Sequence, residues 1–258
     1  MKSSNQAEIR EAFSRQAGNF ESNRMNFSNK EYLSYAVSKI APQKTNTVLE
    51  VAAGTCACGR AIAPFVTKVT CLDMTPAMLS VGKEVAEKEH IENLHFVIGD
   101  AAELPFTDGS FDIVLSRFAF HHFPNIEQPF AEMVRVLKPG GKLVLIDMEA
   151  GEEMLRETED EIERMRDPSH VRVLSRTEML SLHRKNGLSV SFCETVRMPM
   201  LLQNWLNHTQ TPEPIQKTIK ALMENELSGR KKTGFFPYCR GEEICFDHRW
   251  TLIIGSKE

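Results

Sequence analysis

From Thr47 to about Met148, short apolar runs alternate with amphipathic stretches. Thr47–Val51, Lys68–Leu72, Leu94–Ile98, Phe111–Ser116 and Lys142–Ile146 are brief, apolar and rich in β-branched residues, which predicts buried strands. Near-continuous apolar strands belong to parallel sheets covered on both faces. Between them the spacing becomes helical. Thr75 reads as an N-cap followed by Pro76, and Met78, Val81 and Val85 keep one face. Asn125 and Gln128 read as a capping box before Phe130, Met133, Val134 and Leu137. Lys138-Pro139-Gly140-Gly141 is read as the stop of that helix and the turn into the next strand.

Outside this block the pattern is looser. Residues 1–46 are polar and helix-compatible, with Ile9, Phe13 and Phe20 as a sparse apolar stripe. Gly151–Asp167 is acidic, but Leu155, Thr158, Ile162 and Met165 repeat at helical spacing, which predicts a surface helix with a solvated acidic face. Ser175 with Glu178 is a second capping box, and Gly187 a C-terminal glycine, so 176–186 reads as a helix. Leu188–Val196 and Glu243–Ile254 read as strands. Between them lie Trp205, a Thr-Pro-Glu-Pro turn and a helix over 214–227. Strand–helix alternation with right-handed crossovers implies an α/β, doubly wound sheet of seven strands with helical lid insertions.

Composition narrows the function classes. The chain has 258 residues, with 31 Lys+Arg against 35 Asp+Glu, a net charge of −4. That disfavours a nucleic-acid binder, which needs a basic face. No apolar run approaches the roughly 20 residues needed to span a bilayer. Met1–Arg10 lacks an apolar stretch of the secretory type, so the expected compartment is the cytoplasm. Six cysteines there read as thiols, and Cys56-x-Cys58 cannot complete a metal site. No metal is expected, and the chain is expected to be a monomer or homodimer.

After the first strand comes Glu50-Val51-Ala52-Ala53-Gly54-Thr55-Cys56-Ala57-Cys58-Gly59. Small residues there let backbone N–H groups approach a ligand at a helix N-terminus. A nicotinamide-binding loop wants G-x-G-x-x-G, and only Gly54 is in place. Val48–Thr55 resembles instead the first motif of class I S-adenosylmethionine (SAM)-dependent methyltransferases. Three further matches follow in order: Leu72–Leu79 with an acid ending the second strand, Gly99–Asp112, and Arg135–Gly141. The set covers roughly 45–150 and is similar to the type 11, UbiE-like branch. The tail, with Asp167–Arg172 and Trp205, resembles the YcgJ-like group of small-molecule methyltransferases. Ala52 and Cys56 depart from the family's glycines; Cys56 reads as a small filler or as a reactive thiol.

The resemblance implies a Rossmann-like methyltransferase sheet, with SAM as cofactor, S-adenosylhomocysteine as product and a small-molecule acceptor. It implies one domain: a helical cap over 1–46, a cofactor core over 47–148, lid segments over 149–187 and 197–242, and last strands over 188–196 and 243–254. Asp73 would grip the ribose diol and Met74 would pack on adenine. Asp100 and the Ala101 N–H would read the adenine edge. Ala52, Gly54 and Thr55 would receive the methionine tail, and Glu50 its ammonium. Arg117 would contact cofactor or substrate, and Phe20 and Arg24 would cap SAM. For chemistry, His121 is the candidate base and His122 a structural residue. His170, Arg172 and Trp205 are the substrate candidates; Arg240 and His248 are weaker ones. The helix over 214–227, with Leu201 and Leu202, would roof an apolar acceptor or pack as core or a dimer face. The alternatives are an NAD(P)-dependent oxidoreductase and a non-catalytic SAM-binding scaffold.

Overall fold

The computed structural model describes residues 2–19, 21 and 29–258, so Phe20 and Arg24 lie outside the described residues. All five strands expected in the first half form: β1 (Thr47–Val51), β2 (Lys68–Asp73), β3 (Leu94–Ile98), β4 (Phe111–Arg117) and β5 (Leu137–Met148). β6 (Leu188–Leu201), β7 (Tyr238–Arg240) and β8 (Glu243–Lys257) follow. The sheet order is β3-β2-β1-β4-β5-β8-β6, with β7 paired to β8. Strands β1 to β5 run parallel, and β8 is antiparallel to β5, β6 and β7. The short β7 is an addition to the expected seven strands. It turns back at Gly241, whose φ of +63° suits glycine.

Alternate side chains of each strand feed opposite faces. Val48, Ile113 and Val144 pack on one side of the sheet with α2 (Lys30–Ile40) and α3 (Ala57–Ile62). Leu49, Val114 and Leu145 pack on the other with α5 (Glu127–Val136) and α7 (Arg176–Lys185). Here α1 is Lys2–Gln16, α4 Pro76–Lys88, α6 Arg156–Arg166, α8 Leu202–His208 and α9 Glu213–Leu227. The strand order reverses between β1 and β4, so a crevice opens at their carboxyl ends, the usual ligand position in such sheets.

Three local expectations change. The Ser175–Glu178 capping box is formed in both directions. The one at Asn125 is not: Ile126 is the N-cap, Asn125 Oδ1 accepts the Glu127 N–H, and Gln128 donates to the Ala102 carbonyl at 3.0 Å. Thr75 does cap α4, but without a side-chain bond, since both its N–H and its hydroxyl are directed to Asp73. Lys138–Gly141 is absorbed into β5 as a ladder irregularity, with Gly140 at φ +74° making the turn.

The largest correction concerns α6. Glu159, Asp160 and Glu163 are buried, not solvated. Each meets a basic group: Glu159 lies 3.6 Å from Arg249, Asp160 2.8 Å from His170, and Glu163 3.0 Å from Arg166. Composition marked this helix as surface, yet its acids serve as buried partners for basic groups of β8, of the loop after α6 and of α6 itself.

Candidate functional site

The loop after β1 is shaped by left-handed backbone. Ala52, Gly54 and Cys56 have φ of +52°, +53° and +61°. Two of these three residues carry a Cβ, at a cost of about 1–2 kcal/mol each. Tertiary partners hold the loop. Asp73 Oδ2 accepts the Gly54 N–H at 2.8 Å, and Asp73 Oδ1 accepts the Thr75 N–H at 2.8 Å. Glu50 Oε2 accepts the Gly59 N–H at 2.7 Å. Burial pushes the Glu50 carboxyl up to about 7 and raises that of Asp73. Cys56 is buried and its thiol is raised: contact with Cys71 lowers it, but burial, Glu50 and Asp73 raise it more. That is the behaviour of a filler, not of a reactive thiolate.

Glu50, Ala52, Gly54, Thr55, Asp73, Met74, Asp100, Ala101, Arg117 and His121 all line one cleft at the carboxyl edge of β1–β4. The cleft holds about 1170 Å³ of space, counting its open mouth. Asp100 Oδ1 accepts the Ala102 N–H at 2.8 Å, which fixes the turn after β3. The Arg117 guanidinium stacks 4.7 Å from the Phe118 ring.

At the other end of the cleft the chemistry is imidazole and guanidinium. His121 Nδ1 lies 2.6 Å from Asp147 Oδ1. Burial lowers its pKa, but Asp147, Glu163 and Asp167 raise it more, so the ring is more basic than a free imidazole. His122 Nδ1 faces both the carbonyl and the hydroxyl of Ser169, each at 3.1 Å. Burial and the neighbouring His121 depress it, so it is neutral near pH 7 and packs edge-on against Phe13 of α1. Arg166, Asp167, His208 and His248 complete this wall.

The substrate candidates from the tail do not line this cleft. Trp205 is fully buried: Arg166 covers its ring at 4.5 Å, and Phe235 and Phe246 flank it at 5.3 and 5.2 Å. Ile219 and Met223 of α9, with Leu202, join the same cluster, so this block packs as core. His170 is buried on Asp160. Arg172 pairs with Glu178 at 2.7 Å, away from the opening. These two residues instead flank a strap: the Val171 and Arg172 N–H groups both donate to the His121 carbonyl, at 2.9 and 3.2 Å. Arg240 lies on β7, exposed and off the cleft, whereas His248 does line it.

Sequence reasoning missed Asp147, Arg166, Asp167 and His208. Asp147 had a visible signal, an acid inside the apolar run Leu143–Met148. Asp167 opens the 167–172 stretch that carries the tail resemblance, without a role read from it; Arg166 and His208 had no signal, because only tertiary folding brings α6 and α8 to the mouth. No group of three metal-ligating side chains occurs among the described residues. Nor is any helix among them long and apolar enough to cross a membrane.

Comparison with known proteins agrees with this geometry. Residues 49–145 match the family model described as a methyltransferase domain. The uncharacterized methyltransferase YcgJ of Bacillus subtilis is 32% identical over 237 residues, covering 90% of this chain and 92% of YcgJ. Its crystal structure superposes with a TM-score of 0.79 over 88% of this chain and 98% of YcgJ. A putative methyltransferase from Bacillus halodurans superposes at 0.80 with 27% identity, covering 88% of this chain and 99% of its own. Demethylmenaquinone methyltransferase of Listeria welshimeri is 41% identical over 108 residues, covering 41% of this chain and 46% of that enzyme. Ordered motifs, a strand order reversing at the cleft and near-complete coverage of YcgJ coincide: the chain belongs to the SAM-dependent methyltransferase family, in its YcgJ-like group.

Proposed function

We propose that this chain transfers a methyl group from SAM to a small-molecule acceptor, both bound in the cleft. The observation that carries the reading is the convergence of Glu50, Asp73, Asp100 and His121 from four strand ends on one opening. Bound SAM supplies an activated methyl on a sulfonium. Asp73, held in place by the Gly54 and Thr75 N–H groups, accepts the vicinal ribose hydroxyls as a charged, acceptor-only group. Met74 packs on adenine with its polarisable side chain. Asp100 and the Ala101 N–H read the adenine edge. The Ala52–Thr55 backbone receives the methionine tail, with Glu50 facing its ammonium. Arg117 and His121 face the acceptor. The structural work left for the protein is alignment, which can supply effective molarities of order 10⁵–10⁸ M.

Arg166 and His208 come from the segments 149–187 and 197–242, which supports these as the acceptor side. The six cysteines are all free thiols, as a reducing compartment such as the cytoplasm favours. Calorimetric titration tests the cofactor. SAM is expected to bind one-to-one and NADH not at all. Binding of NADH without SAM would replace this reading with the oxidoreductase one.

A further inference from the structure

Asp147 is fully buried near the end of β5, and donors surround it. Its Oδ2 accepts the Ala119 N–H at 3.1 Å and the Phe120 N–H at 2.7 Å. Its Oδ1 accepts the Met148 N–H at 2.7 Å and faces His121 Nδ1 at 2.6 Å. Burial alone would raise this carboxyl, but His121 and the backbone donors hold it below the ordinary range. A carboxylate so engaged is an acceptor only, so the shared hydrogen belongs to Nδ1. In the neutral ring Nε2 then carries no hydrogen and is the basic atom. The strap from Val171 and Arg172 fixes the same residue from its carbonyl side.

The charges around the ring are also defined. Asp147 of β5, Glu163 of α6 and Asp167 beyond it favour its protonation. His122 and His170, with ring centroids at 4.1 and 5.6 Å, and His248 of β8 are the basic neighbours. Two guanidiniums, Arg117 and Arg166, line the same cleft, and of these Arg166 is paired with Glu163 at 3.0 Å. Arg117 favours an acceptor that becomes an anion as it reacts and opposes one that arrives as an ammonium. A tertiary amine or thioether has no proton to lose and would leave Nε2 without a task.

We propose that His121, oriented by Asp147, takes the proton of a hydroxyl acceptor, so that the atom methylated is an oxygen. This rests on the methyl-transfer reading above. As the oxygen forms its bond to the methyl carbon, the carbon–sulfur bond breaks and its electron pair stays on sulfur. The hydroxyl proton passes to Nε2, and the positive charge of the sulfonium ends as imidazolium. Asp147 touches no reacting atom; it is a positioning residue that sets the tautomer.

The test has two readouts. First, ¹⁵N NMR of the histidine-labelled protein with S-adenosylhomocysteine reports the tautomer of His121. Hydrogen on Nδ1 is expected in the wild type, and hydrogen on Nε2 in Asp147→Asn. Second, [methyl-¹³C]SAM is incubated with a small-molecule extract of the cells that make the protein, and the carbon shift of the transferred methyl is read. An oxygen-bound methyl is expected. Asp147→Asn should keep SAM affinity within about twofold and lose roughly 10²–10⁴ in turnover. The loss should shrink at high pH, where the acceptor ionises unaided. If Asp147→Asn fails to fold, His121→Gln serves, with the same loss and SAM still bound. Transfer to nitrogen, sulfur or carbon overturns the proposal, as does wild-type hydrogen on Nε2. So does oxygen transfer that both variants leave unchanged, which spares the methyltransferase reading. Bound SAM with no transferred methyl removes that reading and the proposal together.

Discussion

Two carboxylates in the cleft are tuned for different tasks, and their surroundings show how. Asp73 accepts the Gly54 and Thr75 N–H groups, with the Thr75 hydroxyl and the Met74 N–H also facing it, so its carboxylate is fixed toward the ribose side of the cleft. Hydrogen bonds to a charged group contribute about 1.5–3 kcal/mol. Asp73→Ala is therefore expected to weaken SAM binding roughly 10- to 100-fold by calorimetry. Glu50 faces the backbone N–H groups of Gly59 and Cys58, but full burial outweighs them and lifts its carboxyl to about 7. An acid raised in the folded state keeps a proton that the unfolded chain has released. Its contribution to stability therefore falls as pH rises from the ordinary carboxylate range through about 7. Glu50→Gln removes that term. Urea unfolding at pH 5 and pH 8 should show the variant gaining on the wild type by about 1–3 kcal/mol across this window. Equal differences at both pH values would mean that Glu50 titrates normally.

At the scale of elements, the cofactor loop is held by what packs behind it. Gly82 of α4 approaches the loop so closely that a Cβ would lie 2.7 Å from the Thr55 carbonyl oxygen and 2.9 Å from its carbon. Backbone cannot swing aside as a side chain can. Gly82→Ala is expected to cost about 1–3 kcal/mol in urea unfolding and to weaken SAM binding by displacing Thr55. Helix α6 gives the complementary case. Glu163 neutralises Arg166, which lies over Trp205. Burial opposes the Glu163 charge, but Arg166 and His248 depress its pKa further than burial raises it. Glu163→Ala leaves that guanidinium buried without its partner and should cost about 3–5 kcal/mol. A loss below 1 kcal/mol would show Arg166 finding water instead. This helix also shows where sequence reading stops. The spacing of Leu155, Thr158, Ile162 and Met165 located it, but charge marked the wrong face as solvated. Acids read as surface unless their basic partners are known, and here those partners arrive from the loop at His170, α6 itself and Arg249 of β8.

For the whole molecule, the legible part was whatever rests on local period and spacing. Five apolar runs and their intervening helices gave the parallel half of the sheet. Acids at the ends of β1 and β2, and Asp100 just after β3, then fell at the cleft because strand ends share one edge. Where a role depends on contacts far along the chain, the residue alone was silent. Trp205 looked like a ligand-facing aromatic and is core; Asp147 looked like the end of a strand and orients His121. The strap over 169–172 drew attention through its histidine and arginine, while its backbone N–H groups hold His121 in place. A crystal structure with S-adenosylhomocysteine tests the central claim most directly. The account predicts the ribose hydroxyls on Asp73, the amino-acid tail at Gly54, and His121 Nε2 facing the sulfur across an open acceptor space. A ribose bound away from Asp73, or a His121 ring turned into the sheet, would contradict it.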